Sequence, residues 1–448
     1  MDRGLVSILV LGISFMFIFT AFQTMCNIEV RMPKLFYVNC KKKSAFAVQK
    51  TVLSSITHES NDFSGDGYVS LAIIYGSFAI CNWIAPSVVT LIGPRSTMLI
   101  GSLTYCAFTA SFLIPRTWLL YVSSALLGLG AALMWNGQGV YLSRASSLTT
   151  ISRNSAIFWA MLQGSMLMGN AFVWHEFSGK TEVDATTRCF LITTLVAVAL
   201  LGVFILLTLP SHSVSQQAAH PLAIMKGALE LLITPHMVFL SFTFFYTGLE
   251  LSFFSGVYSP SVGFTKSLGA KHLVGLSGIC VGLGEVLGGV VCGIIGPKWR
   301  RDGIVLIGYV AHAVAFVCAL INLPDKAVFG DTDTISLLVP PSISIALLAA
   351  FLLGFGDACF NTQIIAMLAS VFAAQSADAF ALFRFVQSFG ASMSFAYSTV
   401  LGLRVQLAIL AVAGALGTLA FWRIEWRTKI FNVNIEDMEK KRLPSAED

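Results

Sequence analysis

The sequence predicts an all-α polytopic membrane protein, with twelve transmembrane helices arranged as two pseudo-symmetric six-helix bundles. Three observations carry that prediction. Of 448 residues, 56% are hydrophobic and 11% charged, against roughly 25% charged in a soluble domain, and the mean hydropathy is +0.78. The apolar residues gather in runs of 17 to 25, without the alternation that a barrel strand would show. The chain also repeats itself. Ser14 to Gln23 (SFMFIFTAFQ) returns as Ser241 to Glu250 (SFTFFYTGLE), an offset of 227 residues, which marks a duplicated unit of several helices.

Taken in order, the runs place spans at 5–27, 68–92, 97–114, 118–142, 155–174 and 188–209, then at 236–257, 272–296, 304–322, 343–367, 380–402 and 405–422. The first run is too long for the core of a signal peptide, so it reads as a retained span. The division is therefore an N-terminal six-helix bundle over 1–209, a polar linker over 210–235, a C-terminal six-helix bundle over 236–422 and a tail over 423–448. Within the linker, Leu222, Met225, Leu229 and Leu232 recur at helical spacing around Lys226 and Glu230, which predicts a short amphipathic helix on the cytosolic face.

Further repeats support the duplication. Leu91-Ile92-Gly93-Pro94-Arg95 returns as Ile294-Ile295-Gly296-Pro297-Lys298, a stop signal followed by a basic residue. Leu126 to Gly130 (LLGLG) returns as Leu352 to Gly356 (LLGFG), with Asn136 and Gln138 after the first copy and Asn361 and Gln363 after the second. Glycines at that density let helices approach closely. In the fifth helices, Gln163 is matched by Gln387. An even number of spans puts both termini on one side, and the basic tail selects the cytosol. Inner segments then hold fourteen Lys/Arg and outer segments thirteen, six of them crowded into the first outer loop.

These residues resemble the unc-93-like branch of the major facilitator superfamily, and within it the domain-containing-11 type. The likeness rests on Phe15 to Thr24 (FMFIFTAFQT), Ile73-Ile74-Tyr75-Gly76, Arg153 to Gln163 (RNSAIFWAMLQ) and Thr247 to Tyr258 (TGLELSFFSGVY), and runs over nearly the whole chain. It implies the twelve-helix, two-bundle fold with a central cavity. The superfamily's usual loop after the second helix is reduced here to Gly93-Pro94-Arg95-Ser96, without its aspartate. Members of the branch do not carry residues 30–49, which can be read as a retained intron, since Val-Arg and Gln can encode consensus splice sites. Without that insertion eight outer charges face the fourteen inner ones.

Ionisable residues inside spans are functional candidates because each costs several kcal/mol when unpaired. Glu250, Glu285, Asp357, His312 and Arg384 qualify, and in the repeat Glu250 stands where the first half has Gln23, and Glu285 where it has Asn82. Around them lies an amide belt of Gln23, Asn136, Gln138, Gln163, Asn361, Gln363 and Gln387, and Gln23, Asn82, Asn136, Gln163, Asn361 and Gln387 complete the proton and substrate candidates; the amides have a plain alternative as helix-packing glue. Arg384 reads equally as a snorkelling anchor or as a partner of Asp357, and His312, Trp135 and Trp159 read as packing residues. The bland reading of Glu250 is a buried structural hydrogen bond.

The sequence carries no metal cluster, phosphate loop or nucleophile triad, so no cofactor and no enzymatic activity are expected, and a net charge of +5 spread over short loops argues against a nucleic-acid partner. Seven of nine cysteines lie in apolar runs, where disulfides are not expected. Two functions remain. One is a secondary transporter for an unknown small solute, working by alternating access, with carboxylates that titrate or bind a cation, a proton being the simplest coupling ion. The other is a scaffold that regulates a channel or escorts a membrane-protein partner. Either sits in a lipid bilayer, with plasma and endolysosomal membranes both open.

Overall fold

The computed structural model describes residues 3–28, 65–114, 116–146, 151–177, 185–211, 221–269, 272–295, 300–372 and 376–442. The insertion read at 30–49 lies outside them, as does the second Gly-Pro turn at 296–297. Among the described residues the chain is helical, with one isolated bridge between Thr265 and Thr332 and no strand.

The helices are α1 (Arg3–Ile28), α2 (Gly67–Cys81), α3 (Ala85–Ile92), α4 (Pro94–Ser111), α5 (Thr117–Arg144), α6 (Ile151–Phe177) and α7 (Ala185–Leu206). After α8 (Pro221–Leu232) come α9 (Pro235–Phe264), α10 (Leu273–Ile295), α11 (Arg301–Asn322), α12 (Ile343–Val371), α13 (Ser376–Ser398) and α14 (Leu403–Arg442). Eight of them are long and apolar enough to cross a membrane, namely α1, α5, α7, α9, α10, α11, α12 and α14; the bent pair α2–α3 is either a broken span, which would make a ninth, or a re-entrant loop. Helices α4, α6 and α13 are 18 to 27 residues long but less apolar.

Polarity is turned inside out relative to a soluble protein. Phe204, Leu91, Val412 and Leu419 stand 60–71% exposed on the outer surface, while Glu250 and His312 are fully buried. An exterior this apolar is stable against lipid chains and not against water.

The packing of the first half recurs in the second. Helix α1 packs on α6 and α7 as α9 packs on α13 and α14; α5 contacts α2 and α4 as α12 contacts α10 and α11; α4 meets α7 as α11 meets α14. The halves touch chiefly through α2 against α13 and α6 against α10. On the first seam the Ser392 hydroxyl donates to the Ala72 carbonyl at 2.8 Å, and the Tyr68 hydroxyl of α2 donates to the Val328 carbonyl, in the turn after α11, at 2.9 Å.

Three elements depart from the sequence expectation. The span read as continuous over 68–92 is broken by 66° between α2 and α3. Pro86 lies in the first turn of α3 and lacks the N–H that a continuous helix needs there. Helix α9 runs through a π turn at Phe253–Tyr258 and on to Phe264, beyond the expected end at 257. Helix α14 continues to Arg442, twenty residues past the expected end at 422. No Gly or Pro occurs in the sequence between 423 and 443, and Glu425, one turn beyond the expected end, is anchored by Arg301 at 3.1 Å.

Candidate functional site

The polar interior of the second half is built from five helices. Helix α9 brings Tyr246, Thr247 and Glu250; α10 brings Glu285; α11 brings His312; α12 brings Asp357 and Asn361; α13 brings Arg384 and Gln387. Glycines let these helices close on one another. A methyl group on Gly248 would collide with the Gln387 carbonyl oxygen, and one on Gly356 would collide with the His312 ring. The missing side chain at Gly356 is the space that the imidazole fills.

His312 is held on both ring nitrogens. The Leu353 carbonyl, 2.9 Å from Nε2, can only accept, so the proton sits on Nε2 and Nδ1 accepts from the Tyr246 hydroxyl at 2.6 Å. The ring also stacks on Phe360, with centroids 5.7 Å apart. Glu250 Oε1 lies 3.1 Å from the same Nε2. That N–H points to the carbonyl, however, and among the described residues neither Glu250 oxygen accepts a hydrogen bond from a protein N–H or hydroxyl.

A second acid, Asp357, is an electrostatic neighbour of Glu250. Glu285 faces the same cluster, with Asp357 as its electrostatic neighbour, and its Oε2 is buried without a hydrogen-bond partner. Three acids therefore meet at membrane depth, with exposures of 0% for Glu250, 4% for Glu285 and 7% for Asp357.

A chain of hydrogen bonds runs from this cluster to the junction of the two halves. The Asn361 amide donates to Asp357 Oδ1 at 2.6 Å; the Gln387 amide donates to Asn361 Oδ1 at 3.5 Å and to the Thr247 hydroxyl at 3.3 Å; Arg384 donates to Gln387 Oε1 at 2.9 Å. The guanidinium lies 5.4 Å from the Trp135 ring centre and 5.8 Å from that of Trp159, and these two indoles stack at 5.8 Å. Arg384 thus crosses from the second half to an aromatic wall of the first.

Of the sequence candidates, Glu250, Glu285, Asp357, Asn361, Gln387 and Arg384 come together. Asn82 and Asn136 form a separate pair, in which the Asn136 amide donates to Asn82 Oδ1 at 2.7 Å, while Asn82 reaches the Ala381 carbonyl at 3.4 Å. Gln23 is also apart, accepting from the Ser165 hydroxyl at 2.5 Å, and Gln163 is half-buried on α6 outside the network. Three residues assigned to packing belong to the cluster or touch it: His312, Trp135 and Trp159. Arg384 is neither a snorkelling anchor nor, among the described residues, in an ion pair with Asp357. Repeat comparison missed Tyr246, although its phenol stands where Phe19 lacks a hydroxyl, and that difference was the available signal.

Comparisons with known proteins agree with this architecture. Residues 60–422 match the family model described as "Ion channel regulatory protein UNC-93". The chain is 40% identical to UNC93-like protein MFSD11 of Xenopus tropicalis, over 95% of this chain and 97% of that protein. Among solved structures it resembles a point-mutant form of the nucleoside transporter NupG, at TM-score 0.64 and 15% identity over 93% of this chain and 99% of that one. It also resembles a POT family transporter in complex with 5-aminolevulinic acid, at TM-score 0.62 and 13% identity over 97% of each chain. At these identities the structural likenesses speak for the fold alone.

Proposed function

The chain belongs to the UNC-93 family, and from that premise we propose that this multi-pass membrane protein is a secondary solute transporter working by alternating access and coupled to protons. In this reading α1 to α7 and α9 to α14 form twelve spans, with α2–α3 as one bent span and α4, α6 and α13 as the less apolar members. They make two six-helix bundles over 1–209 and 236–422, and both termini are cytosolic. The recurrence of the same helix contacts in each half supports the two bundles. The weaker hydropathy of α4, α6 and α13 suits helices shielded from lipid by their neighbours.

The observation that carries the transport reading is the acid cluster. Glu250, Asp357 and Glu285 are buried together, and both oxygens of Glu250 and one of Glu285 lack a hydrogen-bond partner among the described residues. A scaffold gains nothing from that arrangement, whereas a carrier needs a group that takes up and releases a proton as the interior changes sides. The Asn361–Gln387–Arg384 chain links that proton to the junction of the halves.

The test uses full-length protein in liposomes loaded with a pH-sensitive dye. Addition of a transported solute acidifies the lumen in wild type and not in Glu250→Gln or Asp357→Asn. The regulatory alternative draws on the family model's description as a channel-regulatory protein. It predicts instead a stoichiometric membrane-protein partner and no solute-dependent proton movement.

A further inference from the structure

We propose that Arg384 is the recognition group for a solute oxyanion, a carboxylate or a phosphate ester, bound between the two halves against Trp135 and Trp159. This rests on the transport reading above and adds the class of solute.

Four observations carry it. Arg384 is a full charge in the interior, yet among the described residues its hydrogen bonding amounts to one donation to Gln387 Oε1. A guanidinium has five N–H donors in a planar fork and no acceptor, so most of its capacity is left for a ligand. No carboxylate forms an ion pair with it among the described residues. Asp357, the acid whose charge it feels, accepts from Asn361 on the far side of the amide link.

The third observation is the aromatic wall. With Trp135 at 5.4 Å, Trp159 at 5.8 Å and Phe383 at 5.1 Å, ring faces hold the guanidinium without using its N–H edge. Cation–π contact stabilises the charge when no counter-ion is present and leaves the fork free for a bidentate oxyanion. The fourth is position. The indoles belong to α5 and α6 of the first half and the arginine to α13 of the second, so a bound anion touches both halves and its affinity changes as they rock.

The probes are benzoate and succinate for carboxylates, phenyl phosphate for phosphate esters, benzyl alcohol as the neutral comparator and choline as the cation. Full-length protein in nanodiscs is titrated with each, following thermal unfolding and tryptophan fluorescence. The expected result is stabilisation by at least one oxyanion and by neither comparator. Arg384→Gln then weakens that oxyanion tenfold or more. Arg384→Lys, which keeps the charge and loses the fork, falls between. Trp159→Phe weakens it less and removes part of the fluorescence response. The carboxylate and phosphate arms separate the two sources.

Arg384→Lys also controls for folding. If Arg384→Gln fails to fold, the ratio of wild type to Arg384→Lys decides. Stabilisation by no oxyanion overturns the inference, as does equal oxyanion affinity in wild type and the folded variants. A neutral or cationic solute that moves protons in the dye assay with Arg384→Gln unimpaired also overturns it, and leaves the transport reading standing.

Discussion

Replacing Glu250 by glutamine separates the chemistry of this side chain from its packing. The carboxyl is fully buried, with His312 Nε2 at 3.1 Å and Asp357 as an electrostatic neighbour. An amide reproduces the protonated acid in shape, with its NH2 turned to Asp357 and its oxygen toward His312. The stability change is therefore within about 1 kcal/mol, the net worth of one exchanged hydrogen bond. Glu250→Ala removes the same neighbour contacts and leaves a cavity, which costs about 2–4 kcal/mol. The duplication provides an internal precedent, because Gln23 stands at the equivalent point of α1 and is accommodated there.

The functional effect runs the other way. A one-unit pH gradient supplies about 1.4 kcal/mol per proton, enough for roughly tenfold accumulation of a solute carried with one proton. With Glu250→Gln that accumulation falls to the equilibrium ratio while solute exchange persists. The assays are thermal unfolding in nanodiscs and gradient-driven uptake in liposomes. Unfolding of the glutamine variant as early as the alanine variant would show that the carboxylate is structural. Unchanged gradient-driven accumulation would remove Glu250 from the coupling step.

Three further predictions follow from packing and backbone geometry. Gly93, at φ +83° and ψ 155° between α3 and α4, occupies backbone space almost reserved for glycine, so Gly93→Ala costs about 1–3 kcal/mol, read as a lowered unfolding temperature. Gly248→Ala forces α9 away from the Gln387 carbonyl and costs about 1–3 kcal/mol by overpacking, whereas Gly139→Ala and Gly303→Ala, where an added methyl meets nothing within 4 Å, are neutral or stabilising. Arg301, 26% exposed, holds Glu425, 3% exposed, at 3.1 Å. Glu425→Ala costs about 1–2 kcal/mol, and a double-mutant cycle with Arg301→Ala gives less than the sum of the single effects.

Much of this architecture was legible because bilayers restrict the choices: long apolar runs must be helices, and a half-length repeat pairs each helix with its counterpart. The acids were legible for the same reason, since Glu250, Glu285 and Asp357 stand out against apolar neighbours. What could not be read were contacts made between elements. His312 enters the cluster only because Gly356, on a different helix, has no side chain to exclude it. Arg384 meets Trp135 and Trp159 across the seam between halves, where no periodicity within a helix reports the neighbour. The bend between α2 and α3 was signalled by Pro86, but hydropathy alone carried the run through it.

The central claim is that the two halves rock about a buried acid cluster. The most direct test measures spin-label distances in nanodiscs at both ends of the seam in full-length protein. One label pair replaces Trp118 and Ile335, exposed by 65% and 77%, and a second replaces Leu91 and Leu306, exposed by 71% and 53%. These sites lie at opposite ends of the proposed spans. Rocking predicts two distance populations at each end that shift in opposite senses between acidic and alkaline pH, with the shift lost in Glu250→Gln. A single distance at both ends, unmoved by pH, would contradict alternating access and favour a rigid scaffold.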